Sequence, residues 1–195
     1  MPPRSLRTWL RVTALALAIA LLAVASVHVL RPSHGPQSDS SGLPVPATAN
    51  LAVLNPGLQV EQPARVRAAA ADGRLQVGDL HGSPVIVNFW SSWCTFCRNE
   101  APLLNRAAHF SAKRGVVVLG VDQEDKPAAA QRFLAKYRVT YATVAVRGRA
   151  NRAWTRTIPD TFFLGRSGRV VYRVVGELTP ASLARGVDRA VAPGS

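Results

Sequence analysis

The sequence predicts an α/β fold with a central mixed sheet flanked by helices, and three observations predict it. Residues 84–90 (PVIVNFW) and 116–122 (VVVLGVD) are short, nearly continuous runs of β-branched and apolar residues, as in strands buried on both faces. Residues 95–113 between them place Leu103, Leu104, Ala107, Ala108 and Phe110 at helical spacing. A strand, helix, strand succession of this kind is a βαβ unit, so its two strands should be parallel. Residues 160–164 and 169–175 flank Arg166-Ser167-Gly168 and read as an antiparallel hairpin, which makes the sheet mixed.

The other elements follow in order. Residues 127–139 form a second helical stretch, with Pro127 in the first turn, where its missing N–H is harmless. Residues 141–146 (YATVAV) are a short strand. The last helix should start at Thr179 as N-cap, with Pro180 at the first helical position, and continue to residue 191. Pro102, inside the first helix, predicts a kink. The domain is assigned to residues 51–195, its first element beginning somewhere between Asn50 and Val66.

The first 50 residues carry an address. Arg4, Arg7 and Arg11 lie in a short N-terminal stretch, 1–11, ahead of residues 12–30, a run without any acid or permanently charged side chain. At about 1.5 Å per residue, a helix over 12–30 is just long enough to cross a hydrocarbon core of roughly 30 Å. The preceding positive charge places the N-terminus in the cytoplasm and the rest outside. Ala23-Val24-Ala25 offers a signal-peptidase site, so cleavage after Ala25 is the alternative. Because the apolar run continues past that site, an uncleaved signal-anchor is expected. Residues 31–50, rich in Pro, Ser and Gly, read as a tether. The expected location is a bacterial inner membrane, crossed once, with the domain on the periplasmic or extracytoplasmic side.

The formal net charge is +13 over 195 residues, and residues 51–195 hold 20 basic and 10 acidic side chains, leaving +10. Nucleic acid is excluded as the expected partner because an exported domain meets little of it. Anionic lipid or an acidic protein could be steered by such a field, and a solvated arginine-rich surface is the plainer alternative. Residues 147–156, with four arginines leading towards Pro159, could steer an acidic client, with a solvated surface as the alternative.

Both cysteines of the chain, Cys94 and Cys97, stand two residues apart where the first strand meets the first helix. At the helix N-terminus, unpaired N–H groups and the helix dipole stabilise a thiolate, so Cys94 should be the nucleophile. Cys97, one turn on, should be sheltered and act second. Three other uses stay open. A structural zinc normally needs four ligands, and only His81 and His109 could add to the two cysteines within the domain. A structural disulfide closing so short a loop restricts the unfolded chain little. A Cu(I)-carrying thiol site suits soft sulfur. Glu100, three residues after Cys97, lies on the same helical face and offers a base; alternatively its charge merely favours the helix's first half.

The stretch VIVNFWSSWCTFCRNEAPLL, the GVD after the next strand and IPDTFFLGRSGRVV together resemble the exported thioredoxin-like proteins of the TlpA, ResA and CcmG (DsbE) group. The resemblance covers roughly residues 77–191. It implies a thioredoxin-like fold behind a transmembrane helix and thiol-disulfide exchange at Cys94 and Cys97. The clients it implies are exported proteins with disulfides, apocytochrome c among them, and a membrane-embedded thiol-reducing donor restores the enzyme. It also implies that Glu100 tunes the cysteines and that Pro159 is a cis-proline presenting the Ile158 backbone to a client. Asn88 stands where cytosolic thioredoxins have a buried aspartate, and an amide cannot take that proton. Trp93, with Trp90, should line the site or serve as packing. Asp160 stands where relatives commonly have a small hydroxyl residue, so the client groove should carry unusual charge. No cofactor and no metal is expected. The disulfide-forming direction and copper delivery without redox turnover are the alternatives.

Overall fold

The computed structural model describes residues 50–56, 62–71, 73–146 and 157–195, all within the unit that spans residues 36–195. The expected transmembrane segment and tether, up to residue 49, lie outside the described residues, as does the arginine-rich stretch 147–156. No helix among the described residues is long and apolar enough to cross a membrane.

The strands are β1 (Asn50–Val53), β2 (Arg74–Gln76), β3 (Val85–Trp90), β4 (Val117–Gln123), β5 (Ala142–Val146), β6 (Asp160–Leu164) and β7 (Val170–Val175). The helices are α1 (Ala64–Ala69), α2 (Thr95–Ala112), α3 (Pro127–Lys136) and α4 (Pro180–Val191), with a 3-10 turn at Val77–Leu80. Among the described residues the strands form one mixed sheet in the order β2-β1-β5-β4-β3-β6-β7. As the βαβ reading requires, β3 pairs in parallel with β4; β4 pairs in parallel with β5, and β6 runs antiparallel to both β3 and β7. The β6–β7 turn needs the left-handed backbone of Gly168, at φ 77°, which only glycine adopts without cost.

Alternation along β3 decides which face each residue serves. Val85, Val87 and Phe89 point to a layer with Val66, Leu75 and Leu80. Ile86 and Trp90 point to the opposite layer, where Ala101, Leu104, Phe133, Leu134, Leu183 and Val187 of α2, α3 and α4 pack. Every residue of β3 and β4 is buried, as expected of strands covered on both sides.

The buried stripe of α2 is Cys97, Glu100, Ala101, Leu104, Ala107, Ala108 and Ser111. Phe110, grouped with the apolar face in the sequence reading, falls one residue off this stripe and is exposed. The helix runs through Pro102 without interruption. Helix α4 starts as expected, with Thr179 Oγ1 accepting from Ser182 N–H and Pro180 in the first turn.

Gly186 of α4 sits where a Cβ would lie 2.4 Å from the Phe163 ring. Replacing it with alanine gains up to about 1 kcal/mol of helix propensity but overpacks a fully buried ring, at a cost of about 3 kcal/mol. Gly186→Ala is therefore expected to destabilise the fold by about 2 kcal/mol, read as a lower urea midpoint with unchanged slope.

Candidate active site

The segment leading from β3 into α2 is held in place before the cysteines begin. Ser91 Oγ donates to the Gln123 carbonyl at 2.7 Å. Ser92 donates its N–H and its hydroxyl to the two carboxylate oxygens of Asp125, at 2.5 and 2.9 Å. Arg98 closes the other side, its guanidinium donating twice to the Ser92 carbonyl at 3.1 and 3.0 Å. Trp93 and Phe96 flank the turn and are 65% and 54% exposed.

Cys94 is the N-cap of α2, and its Sγ accepts from the Cys97 N–H at 3.1 Å. The first turn of the helix thus directs a donor at the sulfur, the arrangement that favours a thiolate there. Cys94 and Cys97 are joined in a disulfide. Cys97 is 2% exposed, as a sheltered second cysteine should be; Cys94 is also largely covered, at 6%.

Glu100 lies one turn beyond Cys97 and is 1% exposed. The Asn88 side chain donates to Glu100 Oε2 at 2.9 Å, and the Leu178 N–H donates to Oε1 at 2.5 Å. Asn88 also donates to Thr161 Oγ1 at 3.0 Å, which ties β3, β6 and α2 into one buried polar cluster. Burial pushes the Glu100 carboxyl from its ordinary 4.5 up to about 7, against the two donors and with the neighbouring Glu177 charge adding to the rise. The hydroxyl of Tyr141 is pushed well above its usual range, first by burial and then by Glu100.

Asn88 thus does more than lack a proton-accepting oxygen. Alternation puts it on the face of Ile86 and Trp90, towards α2, and its amide holds the carboxylate that the helix supplies. The sequence reading missed this role and that of Asp125. Only the i, i+2 pattern of β3 could have pointed Asn88 towards α2. Nothing local pairs Asp125 with Ser92.

The Ile158–Pro159 peptide is cis, as the resemblance implied. Asp160 pairs with Phe89 near the C-terminal end of β3, so Pro159 reaches the sheet end from which Ser91 leads to the cysteines. Ile158 is partly buried against both core layers. The expected groove charge at Asp160 is corrected: its carboxylate is fully buried and bound by Arg173, Nε to Oδ1 at 3.0 Å and an Nη to Oδ2 at 2.6 Å. Trp90 stacks on Phe133, with centroids 4.2 Å apart, as part of the core.

The AhpC/TSA family profile matches residues 59–173, more than half of the chain. The chain belongs to the AhpC/TSA family. The chain is 34% identical over 108 residues to the thiol:disulfide interchange protein DsbE of Pseudomonas fluorescens biotype C, covering 54% of this chain and 58% of that relative. The chain thus spans less than two thirds of that relative's length. Identity to the thiol:disulfide interchange protein HelX of Rhodobacter capsulatus is 30% over 156 residues, 78% of this chain and 81% of HelX. The crystal structure described as a thiol:disulfide interchange protein DsbE from Chlorobium tepidum superposes with a TM-score of 0.58 at 26% identity, over 62% of this chain and 89% of that one. These relatives agree with the resemblance drawn from the cysteine segment, and the fold is thioredoxin-like.

Proposed function

We propose that the chain is an exported, membrane-tethered thiol-disulfide oxidoreductase that reduces disulfides of exported client proteins, in the manner of the DsbE and HelX proteins it resembles. The observation that carries this reading is the Cys94–Cys97 pair at the start of α2, Cys94 capping the helix and Cys97 one turn from a buried carboxyl.

In the reduced enzyme, the Cys94 thiolate attacks one sulfur of the client disulfide. The client S–S bond breaks, a mixed disulfide forms, and the departing client thiolate takes a proton. Glu100 accepts the Cys97 proton, and the Cys97 thiolate attacks Cys94 Sγ. The mixed disulfide breaks, the Cys94–Cys97 disulfide forms, and the second client sulfur leaves as a thiolate that is protonated in turn. Two electrons have passed from the enzyme dithiol to the client. A membrane-embedded thiol donor then returns two electrons to the pair. Trp93 and the Ile158–Pro159 segment serve as the client-facing surface, with the backbone of Ile158 offering a short edge for an extended client strand. The N-terminal segment, as a signal-anchor of the bacterial inner membrane, keeps the domain at the periplasmic face where donor and clients meet.

The test is to replace Cys97 with alanine in cells. The resolving step is then lost, and client proteins are expected to accumulate on Cys94 as mixed disulfides that a thiol reductant releases. The reduction potential of the native pair decides direction: a value near roughly −120 mV, the region of strong oxidants, would overturn the reductase reading. Stoichiometric Cu(I) binding by the reduced protein without trapped clients would point instead to copper delivery.

A further inference from the structure

The loop joining β7 to α4 reaches the site through three consecutive residues. Gly176 N–H donates to the Pro159 carbonyl at 2.9 Å. Leu178 N–H donates to Glu100 Oε1 at 2.5 Å. Between them Glu177 is exposed, and its Oε1 accepts from the Asn99 side chain at 3.1 Å. Asn99 directly precedes Glu100 on α2, so the loop is fastened to the helix beside the carboxyl it also touches. Helix α4 does not need these contacts to begin, because Thr179 and Ser182 cap it by themselves.

Glu100 is faced from β3 by the Asn88 amide, from ahead of β5 by the neutral Tyr141 hydroxyl, and from this loop by Glu177 and the Leu178 amide. Of these groups Glu177 is the one that brings a full charge. We propose that Glu177 is a positioning residue for Glu100: bonded to Asn99 and followed directly by the Leu178 amide, it fixes where that carboxyl sits and places a like charge beside it. The proposal rests on the reading of Glu100 as the proton acceptor for Cys97.

The physical basis is a division of labour. Burial supplies most of the preference of Glu100 for its protonated form, and the Asn88 and Leu178 donors oppose it. A second carboxylate nearby disfavours ionisation further, the same sign as burial. Glu177 stands in solvent, so its repulsion responds to salt and to substitution, whereas the effect of burial does not. Glutamine at position 177 removes the charge and keeps an oxygen for Asn99; alanine removes both.

The experiment is a carbon-13 NMR titration of the Glu100 side-chain carboxyl in the oxidised full-length chain, assigned by its absence in Glu100→Gln. Glu177→Gln is expected to lower the Glu100 midpoint by about half a pH unit, and 1 M salt should move the native midpoint in the same direction but leave the variant unmoved. The pH dependence of oxidised glutathione reduction should shift by a similar interval. Glu177→Ala should show the same charge effect and, in addition, faster hydrogen exchange at the Leu178 amide. An unchanged midpoint in Glu177→Gln, with Glu100 itself titrating near neutral pH, would overturn the proposal and leave the role of Glu100 intact. A native Glu100 midpoint in the ordinary carboxylate range would instead remove the reading on which the proposal rests.

Discussion

Glu100→Gln is expected to slow resolution of the mixed disulfide by about 100-fold, the lower range for loss of a placed proton acceptor. The loss should depend on pH. In the native protein, resolution should accelerate as pH rises through about 7, where the buried Glu100 carboxyl becomes ionised and able to accept the Cys97 proton. In Glu100→Gln that rise disappears and the rate follows the Cys97 thiol alone. Stopped-flow measurement of the second step, with a disulfide peptide as client, checks this; equal pH profiles for the two proteins would remove Glu100 from the mechanism.

The same carboxyl makes stability depend on pH, and the sign follows from the raised value. Between 4.5 and about 7 the folded chain holds a proton that the unfolded chain has released. Its contribution is fully present below 4.5 and is lost as pH rises through about 7, a change on the order of 3 kcal/mol. Urea midpoints across this interval should fall with pH in the native protein and lose that part of the slope in Glu100→Gln. The gain is offset in absolute terms, since a glutamine cannot accept from both Asn88 and Leu178 as the carboxylate does.

Arg173→Ala should be the most destabilising single change away from the cysteines, at about 3 to 5 kcal/mol, because it leaves the buried Asp160 carboxylate without its bidentate partner. It also removes the guanidinium from the face of Phe162, 4.6 Å from the ring centroid. Arg173→Lys keeps the charge but not the two-pronged geometry and should fall between. Chemical denaturation of the oxidised protein reads both, and a loss below about 1 kcal/mol for the alanine variant would refute the account. Because Asp160 follows Pro159 directly, a broken pair should also slow client reduction.

What could be read from the sequence tracks the length of each pattern. Strands β3 and β4, helix α2, the hairpin and α4 were legible because each repeats its period several times or carries a capping residue. The region before β3 was not: β1, α1 and β2 are four, six and three residues long, too short for either period to show. The cysteine pair announced its chemistry by spacing. Its surroundings did not, since Leu178 reaches Glu100 from 78 residues away and Asp125 reaches Ser92 from 33. The Asp160 pairing was within reach. Arg173 stands opposite Phe162 in the hairpin, one diagonal step from Asp160, and such neighbours interact across antiparallel strands.

The sheet order bears on how the domain would carry mechanical load. The chain enters the sheet at β1, which pairs with β2 on one side and β5 on the other. Along the sheet, β5 and β4 stand between β1 and β3, the strand that leads to the cysteines. Tension arriving through the residues ahead of Asn50 would be taken up first by the β1 ladders. Peeling that strand would leave β3, β6 and α2, with Asn88, Thr161 and Glu100 bonded among them, still in register. Were the domain held by the residues ahead of Asn50, entry at β1 would act as a strain relief, with β5 and β4 between the pulled strand and the strand that leads to the cysteines.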